Sequence, residues 1–152
     1  MIIMYGSELR YLQSEDYKHD QYNLNKEHFL NDIWDNLNNN YYLDLSTEGQ
    51  IYFNYSDWLK LFNKLQFNNS IEDLYLMNCN LYCSHAFLIA KMIKENKKLD
   101  DLDLSNNFIR DEGAKAIIEA LKFNNTLDTI WLDDNYISDE CMGFFNNYNK
   151  GK

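Results

Sequence analysis

The densest run of metal-ligand side chains in the sequence is Cys79-x3-Cys83-x-His85. Thiolates and imidazole bind zinc, but a structural site takes about four of them. No fourth ligand stands at a matching spacing, so no metal is expected. Asp133-Asp134-Asn135 supplies fewer oxygens than the roughly six to eight that calcium takes. His19 and His28 have no Ser or Cys motif near them, and the chain contains no G-x-S-x-G, no P-loop and no G-x-G-x-x-G. Paired carboxylates such as Asp100-Asp101 and Asp133-Asp134 recur at a fixed interval, which suits a solvated rim better than general acid–base work. The reading is a protein that is not an enzyme and has no catalytic residue, cofactor or metal centre.

Charge narrows the partner. Lys and Arg number 14 against 24 Asp and Glu, a formal net charge of −10 among 152 residues. Binding nucleic acid takes clustered cations, so a direct nucleic-acid partner is not expected. The one basic cluster, Lys94-Glu95-Asn96-Lys97-Lys98, reads as a helix end, where cations suit the dipole. No apolar run approaches the ~18 residues of a membrane span, and Met1–Gly6 is too short for a signal-peptide core. The three cysteines read as reduced thiols. The expected place is the cytoplasm, with the nucleus or a cytoskeletal or axonemal assembly as alternatives.

The chain is periodic. Ile71, Leu99 and Leu127 stand 28 residues apart, as do Leu74, Leu102 and Ile130, then Leu76, Leu104 and Leu132, then Leu81, Ile109 and Ile137. Cys79, Asn107 and Asn135 fill one position between them. The later part of each unit keeps the interval: Leu61, Ile89 and Ile117; Leu65, Ile93 and Leu121. Trp58, Leu61, Phe62 and Leu65 sit at helical offsets, and so do Ala114, Ile117, Ile118 and Leu121. Each unit predicts a short strand, a turn and a helix of about three turns, with an apolar face that only a stacked neighbour buries. Asn107 and Asn135 are expected to satisfy turn backbone groups. Asp111, Ser84 and Ser138 are expected helix N-caps. The Asn doublets, together with the absence of proline, read as the bias of an A- and T-rich genome.

The ends are less regular. Leu43 and Leu45 look like strand leucines, with about three extra residues expected between Ser46 and Tyr52. Phe29, Leu30, Ile33, Trp34 and Leu37 form a helical stripe that caps the N-terminal end. Glu8–Gln13 reads as a short helix and Ser14–Asn25 as a polar loop. Cys141, Met142, Phe144 and Phe145 supply a short last helix, whose outer edge is either exposed or covered by a partner.

The segments read L-x-x-L-x-L-x-x-N/C-x-L, which resembles the leucine-rich repeat. Leu102-Asp103-Leu104-Ser105-Asn106-Asn107-Phe108-Ile109 and the helix that follows to Leu121 resemble the ribonuclease-inhibitor-like class in particular. The resemblance covers about residues 40–145. It implies an α/β solenoid, a short curved parallel sheet inside and helices outside, of about four repeats with an N-terminal helical cap. The division would be 1–39 for the cap and 40–152 for the repeats, with an irregular unit 40–70, then 71–98, 99–126 and a truncated 127–152. Most members of this class bind another protein, so the resemblance implies an interaction module, standing alone or as a subunit of a larger assembly. The alternative is a regulator of a small GTPase resembling Ran GTPase-activating protein, although its GTPase-contacting residues find no match here.

Residues between the strand leucines face away from the core. They read Asp44, Tyr75, Asp103 and Trp131 in one row, Tyr42, Asp73, Asp101 and Thr129 in the row before, and Ser46, Met77, Ser105 and Asp133 in the row after. The expected partner-binding residues are Asp44, Asp73, Tyr75, Met77, Asp101, Asp103, Ser105, Trp131 and Asp133. Acidic groups beside aromatic rings suit a protein partner with a basic or mixed surface.

Overall fold

The computed structural model describes residues 19–46 and 53–148. In chain order the elements are α1 (His19–Asn36), β1 (Tyr42–Asp44), α2 (Tyr55–Leu65), β2 (Asp73–Tyr75), α3 (Cys83–Glu95), β3 (Asp101–Asp103), α4 (Arg110–Leu121), β4 (Thr129–Trp131) and α5 (Asp139–Tyr148). The four strands form one sheet in the order β1-β2-β3-β4, and every neighbouring pair is parallel. Asp73 pairs with Asp101 and Asp101 with Thr129, the 28-residue interval of the sequence. Tyr42 pairs with Asp73, an interval three residues longer. The turn that would hold those extra residues, 47–52, lies outside the described residues, as does the expected helix Glu8–Gln13.

One expectation is corrected at the N-terminus. The polar loop read over Ser14–Asn25 gives way to helix from His19 onward. The segment has no Gly or Pro to stop a helix, so α1 propagates outward from its apolar turns.

The strand leucines close the core. Leu74, Leu76, Leu102 and Leu104 are 0% exposed, and the helix faces Leu61, Ile89, Ile117 and Ala114 are as fully buried. Each such side chain stabilises the fold by roughly 1.5–3 kcal/mol. Helices α3 and α4 approach closely because Gly113 has no side chain. A Cβ there would stand 2.7 Å from Ala86 Cβ and 2.8 Å from Ile109 Cγ2.

Two ladders of buried asparagines hold the turns. Asn107 accepts from the Cys79 and Leu81 N–H groups at 3.0 and 2.9 Å and donates to the carbonyls of Leu76 and Leu104. Asn135 does the same one unit on, accepting from Ile109 N–H and donating to Leu104 O and Leu132 O. Cys79, in the equivalent position, donates its thiol to Leu45 O at 3.1 Å. The second ladder is Asn68, Asn96 and Asn124, again 28 apart, on the helix-to-strand side. Asn96 donates to Leu65 O and accepts from Leu99 N–H; Asn124 donates to Ile93 O and accepts from Leu127 N–H. Asn68, Asn107 and Asn124 each belong to an Asn doublet, so those doublets have a structural role beyond composition.

Capping differs from expectation at two of three positions. Asn54 and Asp57 form a capping box at α2. Helix α3 begins at Cys83, so Ser84 lies inside its first turn, and the cap interaction is Tyr82 N–H donating to His85 Nδ1 at 2.9 Å. Asp111 likewise lies inside the first turn of α4. Its carboxylate accepts from the N–H and hydroxyl of Ser138, tying one unit to the next. Ser138 does cap α5, accepting from Cys141 N–H.

At the N-terminal end Leu30, Ile33 and Leu37 are buried, Lys26 pairs with the buried Asp57, and Lys64 Nζ stands 5.2 Å above the Trp34 ring. At the C-terminal end Cys141 and Phe145 are buried, and the Tyr148 hydroxyl donates to Leu127 O at 2.6 Å.

Candidate functional site

Strand pairing brings the expected rows together. Asp44, Tyr75, Asp103 and Trp131 are consecutive partners across the sheet, and Tyr42, Asp73, Asp101 and Thr129 are the next row. The alternation follows from the strand: Leu43, Leu74, Leu102 and Ile130 take the other side, toward the helices. Tyr75, Asp73, Asp101, Asp103 and Ser105 are half-buried; Asp44, Met77, Trp131 and Asp133 are exposed. Asp44, Asp73, Tyr75, Asp101, Asp103 and Trp131 therefore share one face, and Met77, Ser105 and Asp133 lie in the turns just beyond the strand ends.

The carboxylates on this face are of two kinds. Asp44 and Asp103 fold back on their own turns, accepting from Ser46 N–H at 2.9 Å and Ser105 N–H at 2.8 Å. Those bonds fix their direction and tie the strand ends. Asp73, Asp101 and Asp133 make no ion pair with a described residue, whereas Glu72 at the rim is paired with Lys98. Burial, and then the neighbouring Asp101, Glu72 and Asp100 carboxylates, push the Asp73 carboxyl above its ordinary range. The Tyr75 hydroxyl is held above its ordinary range by burial and by Asp73, Asp101, Asp44 and Asp103. Negative charge is thus concentrated around a ring, and a cation brought there would relieve the repulsion.

The Cys79-x3-Cys83-x-His85 string is divided by the fold. Cys79 is buried against Leu45 O, Cys83 faces Glu112, and His85 turns its Nδ1 to the Tyr82 N–H. Among the described residues no group of three or more His, Cys, Asp or Glu side chains is placed to hold a metal ion. No helix among them is long and apolar enough to cross a membrane.

Sequence reasoning missed a second exposed feature. Tyr82, Phe108 and Tyr136 stack ring on ring along the turns after the strands, with centroids 5.2 and 5.7 Å apart and planes within 15°. Tyr82 is 53% and Tyr136 73% exposed. The signal was hidden because Tyr82 is 26 residues before Phe108 and Tyr136 is 28 after it, so the rings do not share one column.

No protein-family model matches the chain, and no curated protein matches it either. Among solved structures it is similar to Leiomodin-1 Actin-Binding Site 2, with a TM-score of 0.67 and 25% identity over 76% of this chain and 67% of that one. The similarity is to a protein segment named for binding actin.

Proposed function

We propose that this chain is a non-catalytic protein-binding module of the leucine-rich-repeat type, in the ribonuclease-inhibitor-like class, with residues 1–39 as its cap and the units 40–70, 71–98, 99–126 and 127–152 as its repeats. The observation that carries the reading is the row Asp44–Tyr75–Asp103–Trp131 beside Asp73 and Asp101, which sets two large rings next to carboxylates that make no ion pair with a described residue, on a face the core does not use. Rings of this kind are frequent anchors in interfaces. The carboxylates favour a basic or mixed patch on the partner and make the affinity fall with salt. The likeness to the leiomodin site makes actin the first partner to test and a cytoskeletal setting the first place to look.

The test is cosedimentation of the full chain with filamentous actin, for wild type and a Tyr75→Ala/Trp131→Ala double variant. The reading expects wild type to pellet with actin and the variant to lose at least about tenfold in affinity, as removal of an interface anchor does. Equal pelleting of the two would move the site off the sheet. No pelleting of either would remove actin as the partner.

A further inference from the structure

The units are joined by a repeated forward pattern of backbone donors. Leu76 and Leu104 N–H donate to the carbonyls of Asp103 and Trp131; Asn78 and Asn106 N–H donate to those of Ser105 and Asp133. Leu81 and Ile109 N–H donate to the carboxamides of Asn107 and Asn135. In the last unit the equivalent N–H groups belong to Leu132, Asp134 and Ile137, and none has an acceptor among the described residues. All three residues line one cleft of about 330 Å³, together with Asp133, Asn135, Tyr136 and Met142.

Two further features converge there. The aromatic stack ends in the cleft: Tyr136 has Phe108 on one side and no ring contact besides it among the described residues. Asp133 and Asp134 are exposed, and their carboxylates make no ion pair or hydrogen bond with any described residue.

We propose that this terminal cleft binds an arginine side chain presented by a partner protein. The guanidinium lies on the open side of the Tyr136 ring as the next plane of the stack, with its fork of donors on Asp133 and Asp134. The partner's main-chain carbonyls lie over the three unmet N–H groups. Charge selects the occupant: an apolar ring on Tyr136 would press against two carboxylates and desolvate them without compensation. Shape selects arginine over lysine, because only a flat, delocalised cation both stacks and forks. The volume is at the small end for a ligand pocket and suits one long side chain rather than a cofactor. The site is distinct from the proposed sheet interface, sharing only Asp133 with it.

The test is an amide-resolved NMR titration of the full chain with N-acetyl-arginine amide, and in parallel with the citrulline, lysine and phenylalanine analogues. Saturable shifts at residues 132–137 are expected with the arginine probe. They should be about two- to fivefold weaker with the lysine probe, the scale of one exposed cation–π contact, and absent with citrulline. Tyr136→Ala and Asp133→Asn/Asp134→Asn should abolish them. Both variants keep the fold, since Tyr136 is largely exposed and Asn already occupies the left-handed positions 78 and 106 equivalent to Asp134. Tyr75→Ala should leave the shifts intact. No response at 132–137, or an equal response to citrulline or phenylalanine, overturns the proposal. A response confined to Asp73, Tyr75 and Asp101 also overturns it while leaving the sheet interface standing.

Discussion

The side chain of Asn107 serves the backbone of Cys79, 28 residues earlier: its Oδ1 accepts the Cys79 N–H at 3.0 Å, and the residue is 1% exposed. One carboxamide thereby supplies an acceptor and a donor to a turn that water does not reach. Asn107→Leu should orphan the Cys79 and Leu81 N–H groups, at about 1–3 kcal/mol for each buried group. Urea unfolding should show a loss of at least about 2 kcal/mol. Asn107→Cys, copying the native residue at 79, should lose less. Equal losses for the two would mean that side-chain volume, and not hydrogen bonding, decides this position.

Gly113 and Gly143 should respond to alanine with opposite signs. Alanine is the better helix former by about 1 kcal/mol. At Gly113 the new methyl meets Ala86, Ile109 and the Cys83 backbone within 3.3 Å, so overpacking should prevail and cost about 1–3 kcal/mol. At Gly143 nothing lies within 4 Å, and Gly143→Ala should be neutral or stabilising. Thermal melts of the two variants decide it; a stabilised Gly113→Ala would contradict the close approach of α3 and α4.

Leu104 is 0% exposed between two neighbouring units. Leu104→Asp puts a carboxylate where no partner exists and should cost about 4 kcal/mol or more. Far-UV circular dichroism should show an unfolded or strongly destabilised chain. A wild-type melting temperature would remove the columnar core from the account.

His85 should make stability depend on pH. Its Nδ1 must stay unprotonated to accept the Tyr82 N–H, the rings of Tyr55, Trp58 and Tyr82 surround it, and burial holds its pKa below the ordinary 6.5. The folded state therefore binds the proton less readily than the unfolded chain. This contribution is fully present above about pH 6.5 and is lost as pH falls through that value toward the lower folded pKa. His85→Gln keeps an acceptor at the same helix position and cannot titrate. Between pH 7.5 and 5 the wild type should lose stability relative to His85→Gln; parallel curves would show that His85 is not coupled to folding.

The leucine interval and the alternation of each strand were legible from residue types alone, because burial repeats wherever the backbone repeats. Alternation along the strands is enough to put Asp73, Tyr75, Asp101 and Trp131 on one face. The helix from His19 was not legible, since polar turns lengthen a helix without leaving an apolar pattern. The Asn68–Asn96–Asn124 ladder escaped the sequence reading, because a polar residue shows its partners only when the chain is folded.

What the sequence determined by itself is the stacking of strand–helix units, since a repeated apolar pattern has one efficient way to be buried. What only the tertiary structure decided is where the polar groups ended up. It turned Asp44 and Asp103 back onto their own turns and left Asp73 and Asp101 unpaired on the sheet. It also aligned Tyr82, Phe108 and Tyr136 from unequal sequence spacings. Apolar burial follows local periodicity, whereas a hydrogen bond or a ring stack depends on distances of a few ångströms between groups some 28 residues apart, and those exist only after the units have docked.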